Sequence, residues 1–347
     1  MKVLHAMAGA PVGGAENIFL EDVLALDDAG VSQAVLTRAN NDFRLAQFRA
    51  RGIATVTAGF SSLWRWPTSA ALGRLSRSFD PDIAQYWMGR AGTYARRGRA
   101  VNVGWYGGYY QPSRFANCDY HVGLTKDIVR HIIEKGVPKE RTALIHTYAE
   151  YKLAEPVSRA ELATPQDAPV LLSLARLHWK KGLDVLLKAA ARVPGVYVWI
   201  AGDGPLRDEL QKLAHELGVA SRVRFLGWRD DRFRLLAACD VCVFPSRYEP
   251  FGTVTVDAWA SGKPLIAADA QGPAAYVLNE VNGMLVPKDD VGALTSAINN
   301  VLEKPALRES IVAGGRAAYE AGFTKAAFQR NSLAFYERIL EERKIRA

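Results

Sequence analysis

Cysteine is scarce: three in 347 residues, an odd number, which argues against a disulfide framework. Cys239 and Cys242 form a C-x-x-C, but no second Cys/His pair follows to complete a zinc site. The pair reads as two small apolar side chains at the start of a core strand. No stretch is long and apolar enough to span a bilayer. The apolar run near Met1 is short and broken by His5 and by a Gly/Pro-rich cluster ending at Gly14. It reads as a first β-strand and not as a signal peptide, so the expected compartment is the cytosol. No internal repeat, low-complexity tract or nucleic-acid recognition motif occurs, and no nucleic-acid partner is expected. From Asp42 to Arg130 there is no Glu at all, while Arg stands at 44, 49, 51, 65, 74, 77, 90, 96, 97, 99, 114 and 130. The formal net charge of +8 is therefore concentrated in the first half of the chain. Nucleic acid, a membrane surface or an acidic acceptor each suits such a bias, and no recognition motif supports the first.

What is present is a soluble globular composition, 49% hydrophobic and 23% charged. The length suggests two domains, each able to bury its own core. Apolar runs of strand length alternate with amphipathic helical patterns. This rhythm is that of parallel α/β sheets. Residues 154–168 are rich in Pro, Ser, Thr and Asp with little periodicity, and read as a linker. The expected organisation is a first domain over 1–153, that linker, a second domain over 169–322 and a final helix within 323–347. One segment breaks the rhythm: Ser61-Ser62-Leu63-Trp64-Arg65-Trp66-Pro67 is a poor core segment. It suits a loop packing on a neighbour, or a membrane interface, where Trp and Arg are both favoured.

The chemistry concentrates after the apolar run Asp240–Phe244. There, Ser246-Arg247-Tyr248-Glu249-Pro250-Phe251-Gly252 leads into an expected helix from Phe251 to Ala260, with Pro250 in a first-turn position. A strand–loop–helix turn of this kind aims free N–H groups and the positive end of the helix dipole at the loop, a seat for phosphate. Glu249 and Asp257 place two carboxylates near that seat, and carboxylates accept hydrogen bonds from paired sugar hydroxyls. Upstream, Val170–Leu174 reads as a strand followed by Arg176 and, five residues on, Lys181. Arg offers a bidentate fork and Lys a point charge, and together they suit a diphosphate. At the N-terminus the Gly13-Gly14 loop between a strand and a helix makes a second phosphate-facing turn.

Taken in order, these motifs resemble glycosyltransferase family 4, the retaining glycosyltransferases of the GT-B fold. Gly13-Gly14-Ala15-Glu16 looks like the family's G-G-x-E loop, Ala175–Gly182 its G-R-L-x-x-x-K-G segment, and Gly202-Asp203-Gly204-Pro205 its G-x-G-P turn. Glu249 with Asp257 looks like its E-x7-E stretch, with Asp in place of the second Glu. Trp105-Tyr106-Gly107-Gly108-Tyr109 stands where the family carries a His-Gly pair.

The resemblance implies an α/β GT-B fold, two doubly wound Rossmann-like domains facing a central cleft, with the last helix crossing back to the first domain. It implies transfer of a sugar, with retention, from a nucleotide diphosphate sugar to a hydroxyl. Neither a metal nor a cofactor is expected, since the nucleotide sugar is a substrate. The expected catalytic residues are Glu249, Arg176 and Lys181. The donor-binding set adds Gly13, Gly14, Gly202, Phe251, Gly252, Thr253, Val254 and Asp257, with Asp257 holding the ribose. Trp105, Tyr106 and Tyr109 are the candidates for stacking on acceptor sugar rings. The acceptor expected from the basic first half is a lipid-linked saccharide or polysaccharide, such as a lipopolysaccharide core, on an anionic inner leaflet. Two other readings stay open: a soluble transferase acting on a small molecule, and a non-catalytic nucleotide-sugar-binding protein.

Overall fold

A computed structural model describes residues 1–11, 13–151 and 153–346; Val12, inside the glycine-rich loop, Lys152 and Ala347 lie outside them. The chain divides into two compact units. The first is residues 1–148 together with the segment from Lys325 onward, and the second is Ala149–Thr324.

The first unit is built on seven strands: β1 (Lys2–Met7), β2 (Ser32–Thr37), β3 (Ala54–Thr57), β4 (Ile83–Trp87), β5 (Val101–Tyr106), β6 (Tyr120–Gly123) and β7 (Thr142–Leu144). They form one parallel sheet in the order β3-β2-β1-β4-β5-β6-β7. Register is set by the apolar runs, with Val3 opposite Gln33 on one side and Ile83 on the other. The second unit has six strands: β8 (Val170–Leu174), β9 (Tyr197–Ala201), β10 (Val223–Gly227), β11 (Val241–Phe244), β12 (Leu265–Ala268) and β13 (Met284–Val286). Its parallel sheet runs β10-β9-β8-β11-β12-β13. Central strands of such sheets are covered on both faces, and so carry unbroken apolar runs. All four residues of β11 are buried. Leu171, Leu186, Val198, Val243, Ile266 and Ile298 form the heart of that core.

In both sheets the winding of the chain reverses beside the third strand in the order. From β1 the chain winds outward through β2 and β3, then returns to the other side of β1 as β4. From β8 it winds through β9 and β10 and returns as β11. At these two points successive loops leave the carboxyl ends of the strands in opposite directions, opening a crevice suited to a ligand.

Two sequence expectations change. Residues 154–168 are not a free connector but are counted within the second unit. Arg159 ties them down, donating to Asp240 Oδ2 and the Ala238 carbonyl at 2.9 Å each and to the carbonyls of Gln166 and Ala168. The helix after β11 begins at Thr253, not Phe251, because its N-cap Gly252 takes φ 89°, a left-handed conformation that no helix continues through.

The first sheet also buries ionisable groups. The Trp87 indole donates to His5 Nδ1 at 3.2 Å, so the ring proton sits on Nε2, which donates to Gln33 Oε1 at 2.9 Å. Burial pushes the His5 pKa down to about 4, partly opposed by the Gln33 bond.

Candidate active site

The crevice at the ends of β8 and β11 brings two of the expected residues together. Lys181 closes the loop after β8, and its ammonium donates to Glu249 Oε2 on the loop after β11. Their side chains are 23% and 15% exposed, so the pair is sheltered but reachable. The Lys181 ammonium also lies 5.5 Å from the Phe244 ring centroid at the end of β11. Arg176, on the same loop as Lys181, is exposed and holds no acidic partner among the described residues.

The two loops are laced by a residue whose role the motif did not reveal. The Arg247 guanidinium donates to both Asp184 oxygens at 2.8 Å, to Asp289 Oδ1 at 2.5 Å and to the Trp179 carbonyl at 2.6 Å. Its backbone N–H donates to the Lys180 carbonyl at 2.8 Å. Burial works against the charge on Asp184, but the hydrogen bonds and charge of Arg247 hold its carboxyl below the usual range. The loop carrying Glu249 is thus bolted to the loop and helix carrying Lys181.

Gly252 allows the turn that follows. A Cβ there would stand 2.9 Å from the Phe244 ring and 3.2 Å from Glu249 Cγ. The Tyr276 hydroxyl donates to the Phe251 carbonyl and the Gly272 N–H to the Glu249 carbonyl at 2.7 Å, fixing the turn from behind. Phe251 itself is buried at 4% exposure, its ring packed with Tyr276 and Phe323. It supports the site from the core. No side chain caps the helix Thr253–Ala260, so the first-turn N–H groups of Thr253 and Val254 remain available to an anion. Gly202 approaches the β8 loop so closely that a Cβ would lie 2.1 Å from the Ala175 carbonyl oxygen. Packing of one loop on another is sufficient reason for glycine at that position.

Asp257 departs from expectation. It is 5% exposed, on the second turn of that helix, and Arg232 Nε lies 3.3 Å from its Oδ1. Burial raises its pKa while Arg232 opposes the rise. Its carboxylate is committed to an internal ion pair, which does not fit a direct ribose contact.

In the first unit, the loop after β1 is braced by side-chain hydrogen bonds. The Ala10 N–H donates to Glu16 Oε1 at 2.8 Å, Asn40 to the Gly9 carbonyl at 2.9 Å and Asn41 to the Pro11 carbonyl at 2.6 Å. Arg44, 3% exposed, donates to Asn40 Oδ1 at 3.0 Å beneath it. The Glu16 carboxylate closes over Gly13, where a Cβ would meet Oε2 at 2.2 Å. A Cβ on Gly14, the first helical residue, would meet nothing. Glu16 is thus the residue of the Gly13–Glu16 segment that shapes the loop.

The aromatic candidates are corrected. Trp105 and Tyr106 lie on β5, an interior strand of the sheet between β4 and β6, with 1% and 0% exposure. Trp105 packs on Trp87 at 4.7 Å between ring centroids, and Tyr106 stacks on Phe115 at 4.2 Å. The Tyr106 hydroxyl meets His121 Nδ1 at 3.0 Å. Both are core residues with no face to offer a sugar ring. Tyr109 is partly exposed and donates its hydroxyl to Asp127.

Residues 155–318 match the family model "Glycosyl transferases group 1". The chain is 34% identical over 346 residues to the lipopolysaccharide core biosynthesis glycosyltransferase LpsD of Rhizobium meliloti, covering 99% of this chain and 100% of that protein. It is 34% identical to LpsE of the same organism, covering 94% and 96%. Among solved structures, Anabaena HepE in complex with UDP and glucose superposes with a TM-score of 0.82 at 24% identity, covering 97% of this chain and 100% of that one.

Proposed function

Because this chain belongs to the group 1 glycosyltransferases and has the GT-B fold, we propose that it moves a sugar, with retention, from a nucleotide diphosphate sugar to a lipid-linked or polysaccharide acceptor. The relatives named for lipopolysaccharide core biosynthesis support a surface glycan as the product. The Lys181–Glu249 pair at the β8/β11 reversal carries this reading.

The pair explains how an anionic donor is accepted. Before binding, Lys181 neutralises Glu249. An arriving diphosphate competes for the ammonium, together with Arg176 and the Thr253 and Val254 amides. Glu249 is then free to accept hydrogen bonds from the sugar hydroxyls. The bond between the anomeric carbon and the diphosphate oxygen breaks as negative charge grows on that oxygen, and these fixed donors stabilise it. The acceptor oxygen bonds to the same face of the anomeric carbon, and its proton passes to the departing phosphate. This sequence uses no enzyme nucleophile, metal or cofactor. The acceptor is met from the cytosolic side, at an anionic membrane leaflet.

A melting-temperature screen over nucleotide sugars identifies the donor, since a ligand that binds the folded state raises the midpoint. Arg176→Ala and Lys181→Ala each weaken the nucleoside diphosphate about ten- to hundredfold, and the monophosphate far less. Equal losses for both ligands would remove the phosphate assignment. Glu249→Gln lowers turnover by orders of magnitude in a folded protein, and the product anomer read by NMR matches that of the donor. Activity persists in chelator.

A further inference from the structure

In the first unit, the turn between Phe60 and the helix Trp66–Phe79 carries a cluster of exposed apolar side chains. Leu63, Trp64 and Trp66 are 88%, 70% and 68% exposed. Three large apolar side chains within four residues make a patch, whereas single exposed ones are ordinary. The polar groups of the same turn are tied to the fold around it. The Arg65 guanidinium stacks 4.5 Å over the Tyr94 ring and donates to the Thr93 carbonyl and hydroxyl. Ser61 Oγ accepts from the N–H groups of Leu63 and Trp64 at 3.2 and 3.0 Å, and Tyr94 donates to the Ser61 carbonyl. Phe60 is fully buried, its N–H bonded to Thr68 Oγ1 at 3.0 Å and its carbonyl accepting from Arg90 at 3.3 Å. Pro67 opens the helix that follows. A turn pinned at this many points presents its two indoles at little entropic cost.

The surroundings are cationic. No acidic residue occurs from Phe43 to Phe79. Arg74 and Arg77 are exposed on the helix that Trp66 begins, about 12 and 16 Å along its axis. Arg96 and Arg97 are exposed two and three residues beyond Tyr94, on which Arg65 stacks. None of the four has an acidic partner among the described residues, whereas Arg99 is paired with Asp80. Indole rings favour the zone between headgroup and acyl chain, and unpaired Arg favours headgroup phosphate.

We propose that the Leu63–Trp66 turn is a membrane anchor. Leu63, Trp64 and Trp66 insert into an anionic phospholipid leaflet while Arg74, Arg77, Arg96 and Arg97 engage its phosphates. The proposal rests on the reading of a membrane-borne acceptor for its purpose, but its geometry stands on this corner alone.

The test is sedimentation of the full chain with vesicles of phosphatidylglycerol and phosphatidylethanolamine, and with phosphatidylcholine alone. Binding requires the anionic lipid and weakens steeply with salt. The Trp64→Ser/Trp66→Ser double variant lowers the partition constant at least tenfold, roughly what withdrawing one buried indole predicts. Arg96→Glu/Arg97→Glu lowers it comparably. Brominated lipid quenches fluorescence in the wild type and loses most of that quenching in the double variant. Donor turnover with a water-soluble acceptor stays at the wild-type rate in all variants, so failure of the anchor and failure of the transferase reading are separable. No binding at low salt overturns the proposal. So does binding that the Trp variants leave intact, or a dimer that these variants dissociate, which would make the turn a self-association face.

Discussion

At the scale of single residues, the site depends on Arg247 as much as on the pair it positions. Glu249 and Lys181 belong to different loops, and each long side chain loses rotamer freedom when held. Arg247 reduces that cost by joining Asp184, Asp289 and the Trp179 carbonyl at one planar fork. Its side chain is 19% exposed, so the two bonds to Asp184 are partly sheltered and charge-assisted, while the Asp289 arm, with a carboxylate 55% exposed, is solvated. Arg247→Ala costs about 2–3 kcal/mol in denaturant unfolding. It also lowers kcat/KM for the donor, because the loop carrying Glu249 is released. Arg247→Lys restores charge but not the fork, and recovers less than half of the lost stability. Wild-type donor kinetics in Arg247→Ala would show that the two loops hold their geometry without it.

At the scale of elements, β1, β8 and β11 were legible because strands covered on both faces read as continuous apolar runs. The loops after β1, β8 and β11 were legible as motif loops because Gly, Arg, Lys and Glu recur there at motif spacing. Three features were not. The helix after β11 starts two residues later than Pro250 suggests, since proline marks a permitted helix start while the φ of Gly252 forbids an earlier one. Trp105 and Tyr106 were expected at a ligand surface, but β5 lies inside the sheet, and strand order is a long-range property invisible in local pattern. Asp257 has its partner Arg232 on another helix, 25 residues back. The left-handed Gly252 gives this scale its prediction. Gly252→Ala adds about 1–2 kcal/mol of backbone strain. It also pushes a methyl group against Glu249 Cγ and the Phe244 ring. The variant folds with a lowered midpoint and loses donor affinity more than tenfold. Undiminished affinity would mean that the turn tolerates another conformation without moving Glu249.

For the molecule as a whole, acid stability is decided by groups that the reaction does not use. His5 on β1 and His121 on β6 are 0% and 6% exposed, and burial pushes both down to about 4. His146, which donates to the Leu124 carbonyl at 2.7 Å, is lowered by burial as well. A folded-state value below the unfolded 6.5 means that the unfolded chain takes up these protons first. The stability contributed by neutral imidazole is complete above about pH 6.5 and drains away as pH falls towards 4, by about 3 kcal/mol for a fully buried ring. Two carboxyls act in the opposite sense. Asp22 is wholly buried and bonded to Thr147 at 2.9 Å, and burial raises it well above 3.8; Asp257 is raised for the same reason. Each is protonated more readily in the folded state, so acidification through its folded pKa restores stability. In the first unit three lowered imidazoles oppose one raised carboxyl, and the balance is destabilising. The melting temperature of the full chain therefore declines from pH 6.5 to pH 4. Proton NMR of the imidazoles shows His5 and His121 titrating near 4, with the His5 proton on Nε2 above that pH. Midpoints near 6.5 for both rings would mean that water or a partner charge reaches them, and the acid-sensitive step would then have to lie elsewhere.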